Sequence, residues 1–440
     1  MKIYSADYVI TQNDARDILV EGALAVENGR IVDVGPLHAI QERYPAVEGL
    51  TFRESAILPG LINGHTHIPM SALRGFSDDK ALMDWLHLDI FPVEARLTND
   101  IIKPSALFSC AELIRCGCTA IYDMYMLEDA VFQAVSEAGI RAVLGESITQ
   151  FYPGLSAASE QAHFEYIRHA ARNWKEEPRV RGAVTPHAIY TTQPDQLQRC
   201  RALADEIGFL FGMHMSETVT ETENCIKTHG QRPLAYAHSL GLLRDDTTLF
   251  HMVDVTDEDL AIAAECRCAI VHNPASNMKL GSGVAPVSKM LAHGIPVSIG
   301  TDGPASNNAQ NMFREMYLAS LLQKVEHRDP LEMPAQTILD LATRGGAAAL
   351  HDPEIGTLEV GQKADFIAID LTAPNLQPVH NIVSNLVYAA TGMENRLTVV
   401  DGQILYQDGA FMTLDYDRLC HDMKGIGAWA RGERQGAGDR

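Results

Sequence analysis

Two histidines separated by a single residue, His65 and His67, follow an apolar run at residues 56–62. Alternate residues of a β-strand point to the same side, so both imidazoles can reach one metal ion. Histidine nitrogens are common ligands of Zn²⁺ and Fe²⁺. A His-x-His pair alone is a weak signal, because two surface histidines would give the same pattern. The metal hypothesis therefore depends on further residues of the same kind.

Other strand-like runs along the chain also end in an ionisable side chain. The residues at these positions are His187, His214, His251, His272 and Asp302, and Glu217 lies three residues after His214. We expect His214 to be the third nitrogen ligand and Asp302 the carboxylate ligand. The alternatives are a core histidine at 214 and a turn aspartate in the Thr-Asp-Gly-Pro segment. For His272, support of the site and simple core packing stay open.

The elements that would position these residues alternate between strands and helices. The apolar spacing predicts helices over residues 105–117 and 128–138 and strands over 119–124 and 140–144. Such alternation over about 300 residues indicates a (β/α)₈ TIM-like barrel, whose carboxyl strand ends gather the functional residues at one mouth. A doubly wound open sheet is the alternative. No Gly-x-Gly-x-x-Gly segment supports a dinucleotide site.

Both ends of the chain have a different pattern, with short strands and tight turns. Asn28-Gly29 and Asp401-Gly402 predict hairpins over residues 23–34 and 397–406. We expect residues 1–55 and 355–430 to form a composite β-sandwich domain and residues 56–354 the catalytic barrel. Residues 431–440, rich in glycine and charge, are expected to be a flexible tail.

The bulk composition restricts the partners. A net charge of −22 over 440 residues argues against nucleic acid and anionic membranes. We find no secretory signal and no apolar run long enough to span a bilayer. Eight cysteines show no disulfide-scaffold spacing, so a cytoplasmic location is expected. The pairs Cys116/Cys118 and Cys266/Cys268 could suggest a four-thiolate zinc site, but their spacing favours buried thiols.

Several segments resemble the amidohydrolase superfamily, most closely its methylthioadenosine/S-adenosylhomocysteine deaminase branch. The similarity extends from about residue 56 through the second hairpin. The matching segments are residues 59–67, 73–79, 82–86, 185–190, 214–217, 272–280 and 300–308. The His-x-His and Thr-Asp-Gly segments occur across the superfamily. The Arg-Gly-Phe-Ser-Asp-Asp and Asn-Pro-Ala-Ser-Asn segments are more specific to this branch.

The resemblance implies a role for each site residue. One Zn²⁺ per subunit would be held by His65, His67, His214 and Asp302, although Fe²⁺ or another divalent metal stays open. No lysine at an early strand end could bridge two metals, so a mononuclear site is expected. Glu94 would contact the ribose hydroxyls and His187 would bind substrate. Glu217 would carry protons, with His251 as its electrophilic partner.

The expected reaction is hydrolytic deamination of an adenine nucleoside, namely 5′-methylthioadenosine, S-adenosylhomocysteine or adenosine, to the inosine analogue and ammonia. Zinc lowers the pKa of bound water from about 15.7 to near 7. Asp302 would accept or orient the proton, Glu217 would protonate the ring nitrogen, and His251 would stabilise the attacking oxygen. We also expect a homo-oligomer with a small-molecule substrate.

Two other functions stay open. The first is deamination of a free base or triazine-like ring, of the guanine, 8-oxoguanine or cytosine type. The second is a catalytically silent scaffold on the same fold. Two departures from the relatives concern substrate binding, since Ile189 replaces a proline and Glu146 stands where some relatives carry an arginine. Residues 74–85 are expected to contribute to the pocket wall, and loop 151–159 could close over the substrate.

Overall fold

The computed structural model describes residues 1–150 and 159–433 and contains two β-sheets of eight strands each. The strands are β1 (Lys2–Ile10), β2 (Ile18–Glu27), β3 (Arg30–Pro36), β4 (Gly49–Pro59), β5 (Leu61–Thr66), β6 (Cys118–Tyr125), β7 (Arg141–Ile148), β8 (Val180–Pro186), β9 (Leu210–Met215), β10 (Thr247–His251), β11 (Ala269–His272), β12 (Val297–Ile299), β13 (Phe366–Asp370), β14 (Asn395–Val400), β15 (Gln403–Gln407) and β16 (Ala410–Phe411).

Helices connect the strands of the second sheet and flank both sheets. They are α1 (Leu37–Arg43), α2 (Leu82–Asp84), α3 (Phe91–Glu94), α4 (Asn99–Arg115), α5 (Glu128–Ala138), α6 (Glu160–Trp174), α7 (Pro194–Ile207), α8 (Val219–His229), α9 (Pro233–Ser239), α10 (Asp257–Glu265), α11 (Pro274–Lys279), α12 (Val287–Ala292), α13 (Pro304–Asn307), α14 (Met312–His327), α15 (Ala335–Asp340), α16 (Gly346–Ala349), α17 (Ile382–Tyr388) and α18 (Tyr416–Ala430). Short 3₁₀ helices and the π-helical turns Trp85–Ile90 and Leu341–Gly345 complete the connections.

Strands β5 to β12 form a parallel barrel in chain order. The barrel closes where β12 returns to β5, through a parallel bridge between Thr66 and Asp302 and a hydrogen bond from Asp302 N to His65 O of 3.0 Å. Buried apolar side chains, including Tyr122 and Phe250, fill the interior. The predicted fold class, a (β/α)₈ TIM-like barrel with a small β-sandwich domain formed by both ends of the chain, is confirmed, with the two ends combining in one separate eight-stranded sheet.

The other sheet combines β1–β4 with β13–β16, in the order β16-β15-β14-β13-β4-β1-β2-β3. Both predicted hairpins are confirmed, since β2 pairs with β3 and β14 with β15 in antiparallel fashion. At each turn both residues have positive φ, 50° and 78° at Asn28-Gly29 and 49° and 71° at Asp401-Gly402. Asparagine, aspartate and glycine tolerate this backbone, which explains their use here.

The predicted barrel elements are present, with shifted ends. The helix expected over 105–117 begins at Asn99 and ends at Arg115, because Pro104 near its start removes only one hydrogen bond and does not stop it. The strand expected over 140–144 continues to Ile148. Loop residues 151–158 and tail residues 434–440 lie outside the described residues. In the part of the chain described, no helix is both long and apolar enough to cross a membrane.

Candidate active site

Four predicted ligand residues meet at the carboxyl end of the barrel. His65 lies in β5, His67 follows it, His214 lies in β9, and Asp302 follows β12. His65 Nε2 is 3.2 Å from His214 Nε2 and 3.3 Å from Asp302 Oδ1, and His67 Nε2 is 3.1 Å from the same oxygen. All four ligand atoms lie within 4.8 Å of one another, the arrangement of a divalent metal site.

The donor set fits a tetrahedral ion. Zinc bonds of about 2.0 Å place tetrahedral ligand atoms about 3.3 Å apart, close to the separations present here. In two of the three histidines the opposite ring nitrogen is engaged elsewhere, since His67 Nδ1 contacts Met124 O and His214 Nδ1 contacts His187 O at 3.0 Å. Nδ1–H groups donating to these carbonyls leave the Nε2 lone pairs directed at the centre. Three imidazoles and one carboxylate therefore suit a single divalent cation.

Burial sets the charge of this group. It lowers the pKa of His65 to about 3 and the pKa of His214 well below its usual value, so both rings are neutral, as metal ligands must be. Burial also favours the neutral form of Asp302, but hydrogen bonds from His65 and His67 outweigh it and hold the Asp302 pKa well below normal. His65 and His214 thus provide neutral nitrogens and Asp302 an ionised carboxylate, whereas the hydrogen bond with Asp302 raises the pKa of His67 despite its burial.

The support of Asp302 comes from a repeated tetrapeptide that the sequence analysis did not interpret. Pro-Ala-Ser-Asn occurs at residues 274–277 and again at 304–307, forming α11 and the start of the connection after β12. Ser276 Oγ and Ser306 Oγ both donate to Asp302 Oδ2, at 2.6 and 2.9 Å. The oxygen that does not face the histidines is therefore fixed by two hydroxyls. The repeated tetrapeptide was the sequence signal that could have identified these two serines.

Glu217 and His251 stand next to the ligands. His251 Nε2 is 3.9 Å from Glu217 Oε2, and His251 Nδ1 contacts Asn277 Oδ1 at 2.9 Å. Glu221, a residue missed from the sequence, accepts hydrogen bonds from the backbone N–H groups of Ser216 and Glu217, at 3.0 and 2.7 Å. Burial raises the pKa of Glu217. A raised pKa favours the protonated form of the carboxyl group, which a proton donor needs.

The backbone is strained where these side chains leave their strands. Ser216, His251 and Asp302 all have positive φ, of 51°, 76° and 59°. Non-glycine residues in this region cost on the order of 1 kcal/mol each and are enriched at functional sites. Hydrogen bonds such as Asp302 N to His65 O maintain the conformation. The strain turns the side chains inward at the barrel mouth.

Glu94 and His187 line the other side of the same cavity. Glu94 ends α3 and is 4% exposed, and Tyr125 Oη donates to its Oε1 at 2.6 Å. Burial raises the pKa of Glu94 to about 7. His187 follows β8, and its Nδ1 contacts Thr191 Oγ1 at 3.0 Å. Tyr125 ends β6 and Thr191 follows β8, but neither is a histidine or a carboxylate, the residue types that mark the other strand ends in the sequence.

The cavity has a volume of about 660 Å³, within the range of small-molecule sites. It contains the ionisable site residues at one end and apolar side chains around the rest. Met83 and Trp85 of the expected wall segment line it, whereas Asp78 instead pairs with Lys279. Three of the four metal ligands, His67, His214 and Asp302, thus line the same cavity as Glu217, His251, His187 and Glu94.

The structure also shows the surroundings of Glu146, His272 and the cysteines. Glu146 lies within β7 and points away from the cavity, because it accepts hydrogen bonds from the N–H groups of Leu127 and Glu128, at 3.2 and 2.9 Å. His272 is fully buried, with no hydrogen-bond partner for its ring within the described part of the chain. The cysteines are all free, and the histidine–aspartate cluster is the one metal-capable group found among the described residues.

Comparison with known proteins gives the family. The model of the Amidohydrolase family matches residues 56–405, and that of a bacterial imidazolonepropionase-like composite domain matches residues 22–46. A 5-methylthioadenosine/S-adenosylhomocysteine deaminase of Nitratidesulfovibrio vulgaris is 48% identical, with 97% of each chain covered. One of Lawsonia intracellularis, named in the same way, is 46% identical, with 98% of each chain covered.

Comparison with solved structures is consistent with this family. A zinc-bound adenosine deaminase from Xanthomonas campestris superimposes with a TM-score of 0.95 at 33% identity, covering 98% of each chain. An atrazine chlorohydrolase from Arthrobacter aurescens has a TM-score of 0.87 at 24% identity, covering 97% of this chain and 100% of the other, and shares the fold alone. With its family model spanning most of the sequence and relatives aligned over nearly their whole length, the chain belongs to the amidohydrolase family.

Proposed function

We propose that this protein is a zinc-dependent hydrolytic deaminase of adenine nucleosides, converting 5′-methylthioadenosine, S-adenosylhomocysteine or adenosine to the inosine analogue and ammonia. The observation that carries the proposal is one cavity holding the ligand cluster, Glu217 with His251, and the buried Glu94. The names of the two relatives and the zinc-bound adenosine deaminase support it.

The metal would be held by His65, His67, His214 and Asp302, whose ligand atoms already converge. Bound zinc supplies a Lewis acid that brings the pKa of water into the neutral range. Asp302 is ionised and adjoins the ligand nitrogens, so it can accept a proton from the attacking water. His251, with Nδ1–H directed at Asn277, has its Nε2 available to accept a hydrogen bond from the same water.

Glu217 completes the proton transfers. Burial raises its pKa and so favours the protonated form that a proton donor needs, and its carboxyl group lies beside His251. Protonation of the purine ring nitrogen by Glu217 makes the neighbouring carbon more electrophilic. The proton that Asp302 takes from the water then passes to the departing amino group, and the remaining hydroxyl proton returns to Glu217, so that both carboxyl groups end in their starting states. Glu221 keeps Glu217 in place through the backbone.

Glu94 would select a sugar-bearing substrate. Tyr125 occupies Oε1, while Oε2 has no hydrogen-bond partner in the described part of the chain and lines the cavity. A buried carboxylate that accepts bonds from two vicinal hydroxyls discriminates strongly against ligands without them. His187, whose Nδ1 is held by Thr191, offers Nε2 as a further substrate contact.

Ammonia release tests the proposal directly. Zinc-loaded protein is incubated with methylthioadenosine, S-adenosylhomocysteine, adenosine, adenine, guanine, 8-oxoguanine, cytosine and an aminotriazine. We expect ammonia from adenine nucleosides only, with loss after chelation and return after zinc addition. If only a free base or the triazine releases ammonia, that ring is the substrate instead of an adenine nucleoside. Protein that takes up no zinc and is silent with every compound would indicate a scaffold.

The location, the partners and the oligomeric state of the enzyme are also part of the proposal. Eight free cysteines and a net charge of −22 support a cytoplasmic enzyme without nucleic acid or membrane partners. We propose one Zn²⁺ per subunit and a homo-oligomer in solution. Elemental analysis and light scattering on the purified protein measure both quantities.

A further inference from the structure

The wall of the active-site cavity carries no fixed positive charge. Its charged lining residues are the acids Glu94, Glu217 and Asp302, and no lysine or arginine is among the described residues that line it. The sequence has no lysine or arginine anywhere between residues 142 and 167, the stretch that follows the lining residues of β7. A ligand carboxylate in this cavity would therefore find no basic side chain.

Three basic residues close in sequence to the cavity lining are already paired. Lys279, beside the lining residue Leu280, contacts Asp78 and the side chain of Asn308. Arg74 pairs with Glu112, at 3.2 Å between Nη1 and Oε1. Lys80 pairs with Asp89 at 2.5 Å. Using any of these cations for a ligand would leave a protein carboxylate without its partner.

The rest of the wall is apolar and rich in sulfur. The side chains Met70, Met83, Trp85, Met124, Met126 and Leu280 line it, together with neutral polar groups. Methionine adapts to irregular alkyl groups and packs well against aromatic rings and thioethers. Two of these side chains, Met83 and Trp85, come from the segment that ends in Glu94, and Leu82 of the same segment also lines the cavity. The wall that follows the sugar-binding position is thus hydrophobic.

We propose that the substrate class is adenine nucleosides with an uncharged 5′ group, such as a hydroxyl or an alkylthio group, and that nucleosides with a carboxylate on the 5′ substituent are discriminated against. This inference rests on the proposed function. A 5′ carboxylate entering the cavity loses water without gaining a cation, which is costly. The cavity volume of about 660 Å³ leaves room for a longer arm, so charge rather than size makes the selection.

A size-matched substrate series tests the inference. Values of kcat/KM are measured with zinc-loaded protein at pH 8, where histidine supplies little positive charge. The substrates are 5′-methylthioadenosine, 5′-butylthioadenosine, 5′-(3-carboxypropylthio)adenosine and S-adenosylhomocysteine. We expect the butyl compound within about tenfold of the methyl compound. The carboxypropyl compound and S-adenosylhomocysteine should be at least about 100-fold lower, because the unpaired charge persists in the bound state.

Each other outcome has a distinct meaning. Carboxylate substrates within threefold of the butyl compound would overturn the inference and leave the deaminase proposal intact. A butyl compound as poor as the carboxypropyl compound would also overturn it, since length would then be the cause. No ammonia from any adenine nucleoside would instead defeat the proposed function.

An added cation provides the complementary test. Met83 lines the cavity and is 38% exposed, so Met83→Arg can be accommodated with its stem against the wall. We expect the ratio of kcat/KM for the carboxypropyl to the butyl compound to rise at least tenfold, and Met83→Gln, the neutral control, to leave that ratio unchanged. An equal rise in both variants would show that steric change, not charge, governs the selection.

Discussion

Three carboxyl groups in one cavity have different surroundings, and the surroundings distinguish their chemistry. Asp302 faces two imidazoles and is held ionised, whereas burial raises the pKa of Glu217 and Glu94. An ionised group suits metal binding, and a carboxyl group whose pKa is raised suits proton transfer or pH-dependent binding. Separate predictions follow for Glu94 and Glu217.

For Glu94, activity should depend on pH around its pKa of about 7. Above this pH the ionised carboxylate accepts strong hydrogen bonds from sugar hydroxyls, and below it the neutral acid accepts weaker ones. We expect kcat/KM for a ribonucleoside to rise roughly fivefold from pH 6 to pH 8, by a difference of about 1 kcal/mol. Glu94→Gln should be less active and lack this rise. Steady-state profiles with 2′,3′-dideoxyadenosine give the control, and equal profiles for both substrates would contradict the assignment.

Replacing Glu217 should impair chemistry without removing the metal. Glu217→Gln keeps the shape but cannot transfer a proton, so kcat should fall on the order of 10³-fold, within the range for general acid–base groups. Zinc content by elemental analysis should equal that of the wild type. Asp302→Asn is the matched comparison, because it should reduce both zinc content and kcat. Loss of zinc in Glu217→Gln would place this residue among the ligands instead.

The sequence was sufficient for the residues that end strands and insufficient for those that support them. His65, His67, His214 and Asp302 could be proposed because each follows a strand-like run. Tyr125 contacts Glu94, and Glu221 contacts the backbone of Glu217, but no sequence motif indicates either contact. Whether a buried polar side chain faces a cavity depends on the tertiary structure, which composition does not reveal.

At the scale of elements, the site depends on how the barrel closes. Asp302 follows the last strand, β12, and the histidine pair belongs to the first, β5, so their separation is set by the β12–β5 contact. Gly300 lies in this contact. A Cβ there would be 2.8 Å from His65 N, 2.9 Å from His65 O and 2.5 Å from Asn273 Oδ1. Only glycine allows the two backbones to approach this closely.

Gly300→Ala should therefore weaken metal binding. The added methyl group forces β12 away from β5 and moves Asp302 relative to His65 and His67, so we expect zinc affinity to fall at least tenfold with a matching loss of activity. Competition with a chromogenic chelator measures the affinity. Gly427→Ala in α18 is the control, because its Cβ would meet only an arginine side chain at 3.6 Å. Unchanged affinity in Gly300→Ala would mean that the closure tolerates expansion.

Element boundaries were predictable where local signals exist. The two Asn-Gly and Asp-Gly hairpins and helix α5 agree with the sequence analysis because turn chemistry and helical spacing act within a few residues. The start of α4 and the end of β7 were displaced, because packing against neighbouring strands extends both beyond their sequence signals. The π-helical turn Trp85–Ile90, which leads into Glu94, has no sequence signature of its own.

At the scale of the whole molecule, Arg141 joins the two sheets. It lies at the start of β7 and makes hydrogen bonds of 2.8 and 3.1 Å to Asp365, just before β13, with a further contact of 2.5 Å to Asp401 in the β14–β15 turn. The side chains of Arg141 and Asp365 are 4% and 1% exposed. Removing one partner of such a buried pair leaves an uncompensated charge.

Arg141→Met should accordingly destabilise the protein by about 3–5 kcal/mol. Urea unfolding followed by fluorescence should give a lower midpoint. Arg396→Met breaks the Arg396–Asp408 pair, whose side chains are 35% and 48% exposed, and should cost less than about 1 kcal/mol. Equal effects of the two substitutions would show that the Arg141 pair adds no more than an ordinary surface pair.

The closure between β5 and β12 also constrains synthesis on the ribosome. The ligand group needs residues 65 and 302, and the terminal sheet needs β1 beside β4 and β4 beside β13. A nascent chain that has emerged as far as β9 contains the three histidine ligands but not yet Asp302, the carboxylate ligand. Capture of the cation by all four ligands must wait until translation has passed Asp302, so metal occupancy reports a chain in which every barrel strand has been made.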